Sequence, residues 1–439
     1  MKEKMYKKLI VFGLICFLSC LPIVNVAIDL NSTMEGEDVF WINTAPMKGI
    51  TVVAVGDFNL DGVDDAVAAS LDSNVYAING PTNETLWVNT VATSSVYSLV
   101  IEDLNLDTVD DVVVGAYDPQ LFAIDGSNGN RLWSNVLPEG NILSLAIGNF
   151  DNNEVRDVLV GSDDTDIYAM EGSNGYILWE QMAPVNWVVS VAVANFNNDG
   201  IDDVVAGSTD NGIYALDGVN GNQFWQNRDA SHDITCLTVI DFNKDGVSDV
   251  LAGSYDSGVY GIEGINGTTV WTNYIANDAI RAITVGDLKG DGTYDILVGS
   301  ADSNVYALNS ATGETIWVNT APTSGILSVT VGDINGDGVV DALVGSYDSN
   351  VYAINGPTGE TMWINTIPND IVTSVAIGDF NNDGMNEVLV GSLDSNVYTL
   401  TGGITPSQIP EFSFPRVAIL IFSVALPICA FRRWLKSHQ

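Results

Sequence analysis

Short runs of alternating apolar residues, each cut by a polar turn, recur along this chain with no helical spacing between them. The pattern is easiest to read over residues 326–371. Ile326–Val331 alternates and predicts a first strand, and a polar loop follows. Ala342–Gly345 predicts a second strand, closed by the turn Tyr347-Asp348-Ser349. Asn350–Ile354 predicts a third, and Gly356-Pro357-Thr358-Gly359 turns the chain into a fourth, Thr361–Thr366, which carries Trp363. The unit returns every 46 residues, marked by Trp41, Trp87, Trp133, Trp179, Trp225, Trp271, Trp317 and Trp363. A repeat of this length is one supersecondary unit stacked on copies of itself. Four antiparallel strands per unit make a propeller blade, and a ring of blades hides most sheet edges.

The ends of the repeat indicate how the ring closes. Trp41 precedes the first polar loop, whereas the last loop is followed by Val397-Tyr398-Thr399-Leu400 and then no tryptophan. A strand near Val39–Thr44 must therefore complete the last blade. An open solenoid would leave two bare edges and need caps that are not visible in the sequence. The expected fold is all-β: an eight-bladed β-propeller of 46-residue, four-stranded blades over residues 38–402, closed by its N-terminal strand.

The polar loop carries the candidate chemistry. In Asp333-Ile334-Asn335-Gly336-Asp337-Gly338-Val339-Val340-Asp341, oxygen-bearing side chains fall at the first, third, fifth and ninth positions, with glycine at the sixth. That spacing suits a hard cation such as Ca²⁺, which takes about six to eight oxygen ligands. Comparable sets are Asp57, Asn59, Asp61 and Asp65; Asp241, Asn243, Asp245 and Asp249; and Asp379, Asn381, Asp383 and Glu387. The second copy, Asp103, Asn105, Asp107 and Asp111, has Thr108 in place of the glycine. The fourth, Asn195, Asn197, Asp199 and Asp203, has only two carboxylates. The third reads Asn149, Asp151, Asn153 and Asp157, with Glu154 at the glycine position and Arg156 nearby. The sixth keeps Asp287, Asp291 and Asp295 but has Lys289 at the third position. Little or no metal is expected in copies three and six. The alternative is a set of Asx turns without metal. The pattern differs from an EF-hand, which closes on a glutamate at position twelve between helices. It resembles the FG-GAP calcium loops of integrin α-subunit propellers. By that resemblance the side chains at positions one, three, five and nine, and the carbonyl at position seven, are ligands.

Charge supports this picture. There are 56 acidic and 15 basic residues, and only Lys48, Arg131, Arg156, Arg228, Lys244, Arg281 and Lys289 are basic between Asp38 and Gly402. Such a surface repels phosphate backbones, which excludes nucleic acid as a partner class. The four loop positions hold 22 of the carboxylates, enough to bind several structural cations. Cys236 is the one cysteine in the repeats, at a small-residue position shared with Ser98, Ser144, Ser190, Ala282 and Ser328, so it reads as a packing residue. Asp72, Asp118, Asp164, Asp210, Asp256, Asp302, Asp348 and Asp394 mark a second acidic row, expected in the hairpin turns of the face opposite the loops. Trp187, Arg228, His232, Arg281, Tyr117, Tyr255 and Tyr347 break the repeat on that face and are the candidates for contact with a partner.

The termini suggest export and tethering. Lys2, Lys4, Lys7 and Lys8 precede the apolar run Leu9–Leu21, the form of a signal peptide over residues 1–28, with a linker over 29–37. A second linker over 403–415 leads to an apolar, then basic segment over 416–439, ending in Arg432-Arg433-Trp434-Leu435-Lys436. With Pro410-Glu411-Phe412 this tail resembles the PEF-CTERM sorting signals of archaeal surface proteins. The resemblance implies a membrane tether with the propeller outside the cell.

Ala307-Leu308-Asn309-Ser310-Ala311-Thr312-Gly313-Glu314-Thr315-Ile316-Trp317 is similar to the tryptophan-docking repeat of pyrroloquinoline-quinone (PQQ) enzymes and of related non-catalytic propellers. That resemblance implies tryptophans packed between blades. No vicinal cysteine pair is available, and no unique base interrupts the repeat; His232 is the only histidine within it. The expected function is a secreted, calcium-stabilised, non-catalytic module that binds an extracellular protein or glycan. The alternatives are a PQQ-dependent dehydrogenase, a polysaccharide lyase, and a PQQ-like scaffold for envelope assembly.

Overall fold

The computed structural model describes residues 39–401 except 91, 138 and 139. The expected signal peptide, both linkers and the sorting segment lie outside the described residues. Among the described residues there are 32 strands and no helix, arranged as eight four-stranded antiparallel sheets. β1 is Val39–Asn43. The first blade consists of β2 (Ile50–Gly56), β3 (Asp65–Ser70), β4 (Val75–Ile78) and β5 (Thr85–Asn89). β6 to β29 repeat this unit six times, and β30 (Val372–Gly378), β31 (Glu387–Ser392) and β32 (Val397–Leu400) follow. The seventh blade spans Ile326–Gly332, Asp341–Ser346, Val351–Ile354 and Thr361–Asn365, within a residue or so of the strands read from its alternation.

The eighth sheet has the order β1-β32-β31-β30, with Ile42 opposite Tyr398 and Asn43 opposite Val397. The N-terminal strand therefore completes the last blade, and the ring is closed. Bonds across the closure repeat those between other blades. Val53 N–H donates to Ser374 Oγ at 3.2 Å, and Thr373 Oγ1 donates to the Ile50 carbonyl at 2.9 Å.

Packing explains the period. The second strand of each blade is wholly buried and the third nearly so, and the apolar clusters join side chains of neighbouring sheets. At the outer part of each interface, the tryptophan indole N–H donates to a backbone carbonyl 39 residues later, in the next blade. Trp41 reaches Gly80 at 2.7 Å, Trp87 reaches Gly126 at 2.6 Å, and the series continues to Trp317 and Gly356 at 2.7 Å. The matching position for Trp363, Gly402, lies outside the described residues. Two residues after the tryptophan, an asparagine or glutamine amide donates to the same turn of the next blade, as in Asn89 to Gly129 at 2.8 Å and Gln181 to Gly221 at 2.7 Å. The indole ring also covers that turn. Gly221 sits at φ +72°, and a Cβ there would lie 2.7 Å from the Trp179 ring.

Trp179→Phe keeps most of the ring but leaves the Gly218 carbonyl, now 2.6 Å from the indole nitrogen, without its donor. We expect a loss of about 1–3 kcal/mol in denaturant unfolding, and Gly221→Ala to destabilise as well. Unchanged midpoints for both variants would disprove the docking role.

Candidate metal loops and the two faces of the ring

The loops between first and second strands lie on one face of the ring. In the first, Asp57 accepts the N–H of Asp61 at 3.2 Å and of Gly62 at 2.9 Å. Asn59 accepts the Asp61 N–H at 2.8 Å, and Asp61 accepts that of Val63 at 2.9 Å. These are successive Asx turns, in which short polar side chains hold the backbone. The same bonds recur around Asp103, Asp241, Asp333 and Asp379. Thr108 keeps the fold of the second loop by taking the left-handed φ of +76° and donating its N–H to Asp103 at 2.9 Å.

The ninth residue behaves differently. Asp65 begins β3 and is fully buried, accepting the Phe58 N–H at 3.1 Å and the Gly80 N–H at 2.9 Å. Burial, reinforced by the Asp61 and Asp57 charges and resisted by those two amides, pushes its carboxyl up to about 6. Asp249 and Asp341 are likewise pushed to about 6, and Asp111 and Glu387 to about 7, with burial the largest cause in each. Each of these loops thus holds a buried acid beneath partly or fully exposed oxygen donors.

Three loops test whether these residues suit a cation. In the fourth, Asn195 Oδ1 is buried and accepts no hydrogen bond among the described residues, an orphaned oxygen at the first ligand position. In the sixth, the Lys289 ammonium lies 2.9 Å from Asp291 and 3.1 Å from Asp295, so a positive charge already stands between the fifth and ninth positions. This blade also has Ser310 where the other described turns have glycine. A Cβ at Gly80 would lie 1.9 Å from the Asp64 carbonyl, so a serine at the equivalent position needs a wider gap. Ser310 instead donates its hydroxyl to the Tyr294 carbonyl, Leu288 N–H turns to Gly286, and Asp295 receives no backbone amide. In the third, oxygens of Asp151, Asp157 and Glu171 lie within 4.8 Å of one another, the only such acidic trio among the described residues. Glu171 comes from the turn between third and fourth strands. Reading the loop by itself missed it, although Asp125, Asp217 and Glu263 hold the same repeat position. In the intact loops the acids at positions one, five and nine are not drawn together to that degree, because each is tied to backbone amides and like charges repel. The all-oxygen donor sets fit a hard cation. Calcium there would be held by the side chains at positions one, three, five and nine.

The opposite face carries the second acidic row, and those carboxylates hold its hairpins. Asp72 accepts the Tyr76 hydroxyl at 2.7 Å and the Met47 N–H at 2.9 Å; Asp348 accepts the Tyr352 hydroxyl and the Thr323 N–H, both at 2.7 Å. The repeat-breaking residues fare unequally. Arg228 pairs with Asp210 at 3.2 Å, His232 is exposed beside Ser231, and Trp187 packs on Leu143 and Val189. Arg281 has no carboxylate partner among the described residues. Its guanidinium lies 5.0 Å from the Tyr255 ring centre and donates to the Tyr255 hydroxyl at 3.1 Å, while its buried Nε has no acceptor. Cys236 is fully buried and its thiol is pushed up to about 12 by that burial, so it is a packing residue and not a nucleophile.

Comparison with known proteins rests on this geometry. No curated protein sequence matches the chain. Among solved structures, the Saccharomyces cerevisiae protein Sqt1 is 12% identical with a TM-score of 0.71, over 83% of this chain and 99% of that one. The computationally designed Ika8 protein is 17% identical with a TM-score of 0.67, over 83% and 99%. BamB from Moraxella catarrhalis is 20% identical with a TM-score of 0.57, over 80% and 96%. At these identities the likeness speaks for the propeller fold alone. Residues 59–181 and 152–365, well over half the chain, match the family described as outer membrane protein assembly factor BamB, and the chain belongs to that family.

Proposed function

We propose that this protein is a non-catalytic binding module: a propeller held by calcium on one face and presenting the other to an extracellular protein or glycan. The observation that carries the reading is where the repeated polar residues are used. The tryptophan N–H groups from Trp41 to Trp317, the ninth-position acids and the Asp72-type acids are engaged inside or between blades. What is left for a partner is the set that breaks the repeat, with Arg281, Tyr255 and Trp187 on the face away from the loops. Aromatic and arginine side chains are the types that dominate binding energy at such surfaces. A second reading, a scaffold for envelope assembly, is favoured by membership of a family described as an assembly factor.

Binding of the purified chain to isolated cell envelopes tests the module. Arg281→Gln combined with Trp187→Ala should weaken capture by roughly tenfold or more, as loss of hot-spot side chains does, while Lys48→Gln should not. Dye-linked dehydrogenase turnover after reconstitution with PQQ would overturn the reading. Crosslinking that recovers membrane assembly complexes in place of an extracellular ligand would favour the scaffold.

For the metal, calorimetric titration with Ca²⁺ should show several sites and a rise in melting temperature. Lys289→Asn with Ser310→Gly should add one further site, and an unchanged stoichiometry would count against the loop assignment. The pH dependence has a definite sign. The ninth-position acids other than Asp295 have folded pKa values raised to about 6–7 from 3.8 for aspartate and 4.5 for glutamate. Their contribution is therefore complete below the unfolded values and lost as pH rises through the folded ones. In chelator, the melting temperature should fall between about pH 4 and 7, and calcium should reduce the fall. A metal-free melting temperature that climbs across that window would refute the burial argument, and Asp111→Asn should flatten part of the slope.

A further inference from the structure

A cavity of about 460 Å³ runs along the ring axis, lined by the innermost strand of every blade. Its volume is in the range of small-molecule sites. Its wall is mostly apolar, from residues such as Val55, Ile147, Val193 and Val239. The serines that line it already accept backbone amides, Ser144 that of Val191 at 3.1 Å and Ser190 that of Leu237 at 3.0 Å, with Ser328 and Ser374 doing the same.

Charge enters this cavity in one sector only. The residue just before each metal loop is Gly56, Gly148, Ala194, Ile240, Gly286, Gly332 or Gly378 in seven blades, and Glu102 in the second. The eighth loop position is Asp64, Asp110, Asp202, Ser248, Tyr294, Val340 or Asn386 elsewhere, and Arg156 in the third. These two departures from the repeat meet in the cavity wall. Arg156 Nε lies 3.8 Å from Glu102, and Arg156 Nη2 lies 3.3 Å from Asp202 of the fourth blade. Asp110, on the same wall, differs from its repeat equivalents. Asp64 accepts the Asp379 N–H at 2.8 Å and Asp202 the Asn149 N–H at 2.9 Å, whereas no described residue donates to the half-buried Asp110 carboxylate.

An internal repeat predicts an eightfold-similar cavity, so a charged sector in which Glu102 and Arg156 occur in one copy each, beside the three-copy acids Asp110 and Asp202, is a departure with a location. Three carboxylates face one guanidinium, leaving two negative charges at the edge of an apolar space. These carboxylates are partly buried, with the Glu102 and Asp202 side chains 26% and 29% exposed, and a cation that met them would offset the cost of that partial burial. None of the four groups belongs to the ligand positions of the metal loops, so calcium in those loops does not supply that partner.

We propose that the axial cavity binds an amphipathic organic cation, with its ammonium group among Asp110, Glu102 and Asp202 and its hydrocarbon body between the innermost strands. Arg156 positions Glu102 and Asp202 and excludes a second cation. This site is separate from the partner-binding face around Arg281, and its ligand is independent of that reading.

Calorimetry on the purified chain at saturating calcium tests it, with n-hexylammonium as the probe and hexanol and hexanoate as controls. Hexylammonium should bind once per chain, hexanol at least about tenfold more weakly, and hexanoate not at all. Glu102→Gly installs the residue that five other copies carry, and Asp110→Asn removes the free carboxylate. Each should weaken hexylammonium about tenfold with an unchanged melting temperature. Arg156→Asp, the residue of three other copies, should strengthen it. Equal affinity for hexanol and hexylammonium, a preference for hexanoate, or affinity unchanged in both acid variants would overturn the proposal.

Discussion

The tryptophan N–H given to the next blade is the bond on which the ring depends. It couples the fourth strand of one sheet to the last turn of its neighbour, and it recurs at an offset of 39 residues from Trp41 to Trp317. A bond of this kind fixes both distance and angle between sheets. It also dictates the partner. The turn beneath the indole leaves little room, so a left-handed glycine sits there in most blades and a Cβ at Gly221 would strike the ring; beneath Trp41 the position is Asn83, at φ +59°. Because Trp41 belongs to a strand that completes the eighth blade, the same bond also joins the last blade to the first.

The loops follow from this arrangement. With the turn of third and fourth strands held down by tryptophan, its Gly80-type amide points at the ninth loop acid, and that acid is buried whether or not a cation is present. The sixth blade shows the dependence by failing. Ser310 replaces the glycine, the Trp271 bond lengthens to 2.9 Å, Asp295 loses its amides, and Lys289 brings the countercharge. Two changes that look unrelated in sequence are thus one local adjustment. Calcium in the intact loops would do for the buried acids what the lysine does in the sixth.

Regularity also shapes where function can reside. A polar residue present in every blade serves the blade: Asp72 and its equivalents hold hairpins, and the asparagines after tryptophan hold interfaces. Residues that occur once are free of that duty. Among them are Arg281 on one face, beside Tyr255, and the Glu102–Arg156 pair at the axial cavity on the side of the loops.

Much of the architecture was legible in the chain itself. A 46-residue period, the strand alternation and the misplaced first tryptophan together determine blade number, strand order and closure, because each is a local pattern repeated in register. The loop donors were legible too, since an Asx turn is made by neighbours in sequence. Other features were decided only in three dimensions. Glu171 meets Asp151 and Asp157 from a different turn, Lys289 reaches Asp295 across its loop, and Arg156 meets Glu102 and Asp202 from the blades on either side. Repetition in sequence records what every blade shares. Contacts between blades are set by packing, and single-copy residues acquire meaning only when the closed ring brings them together.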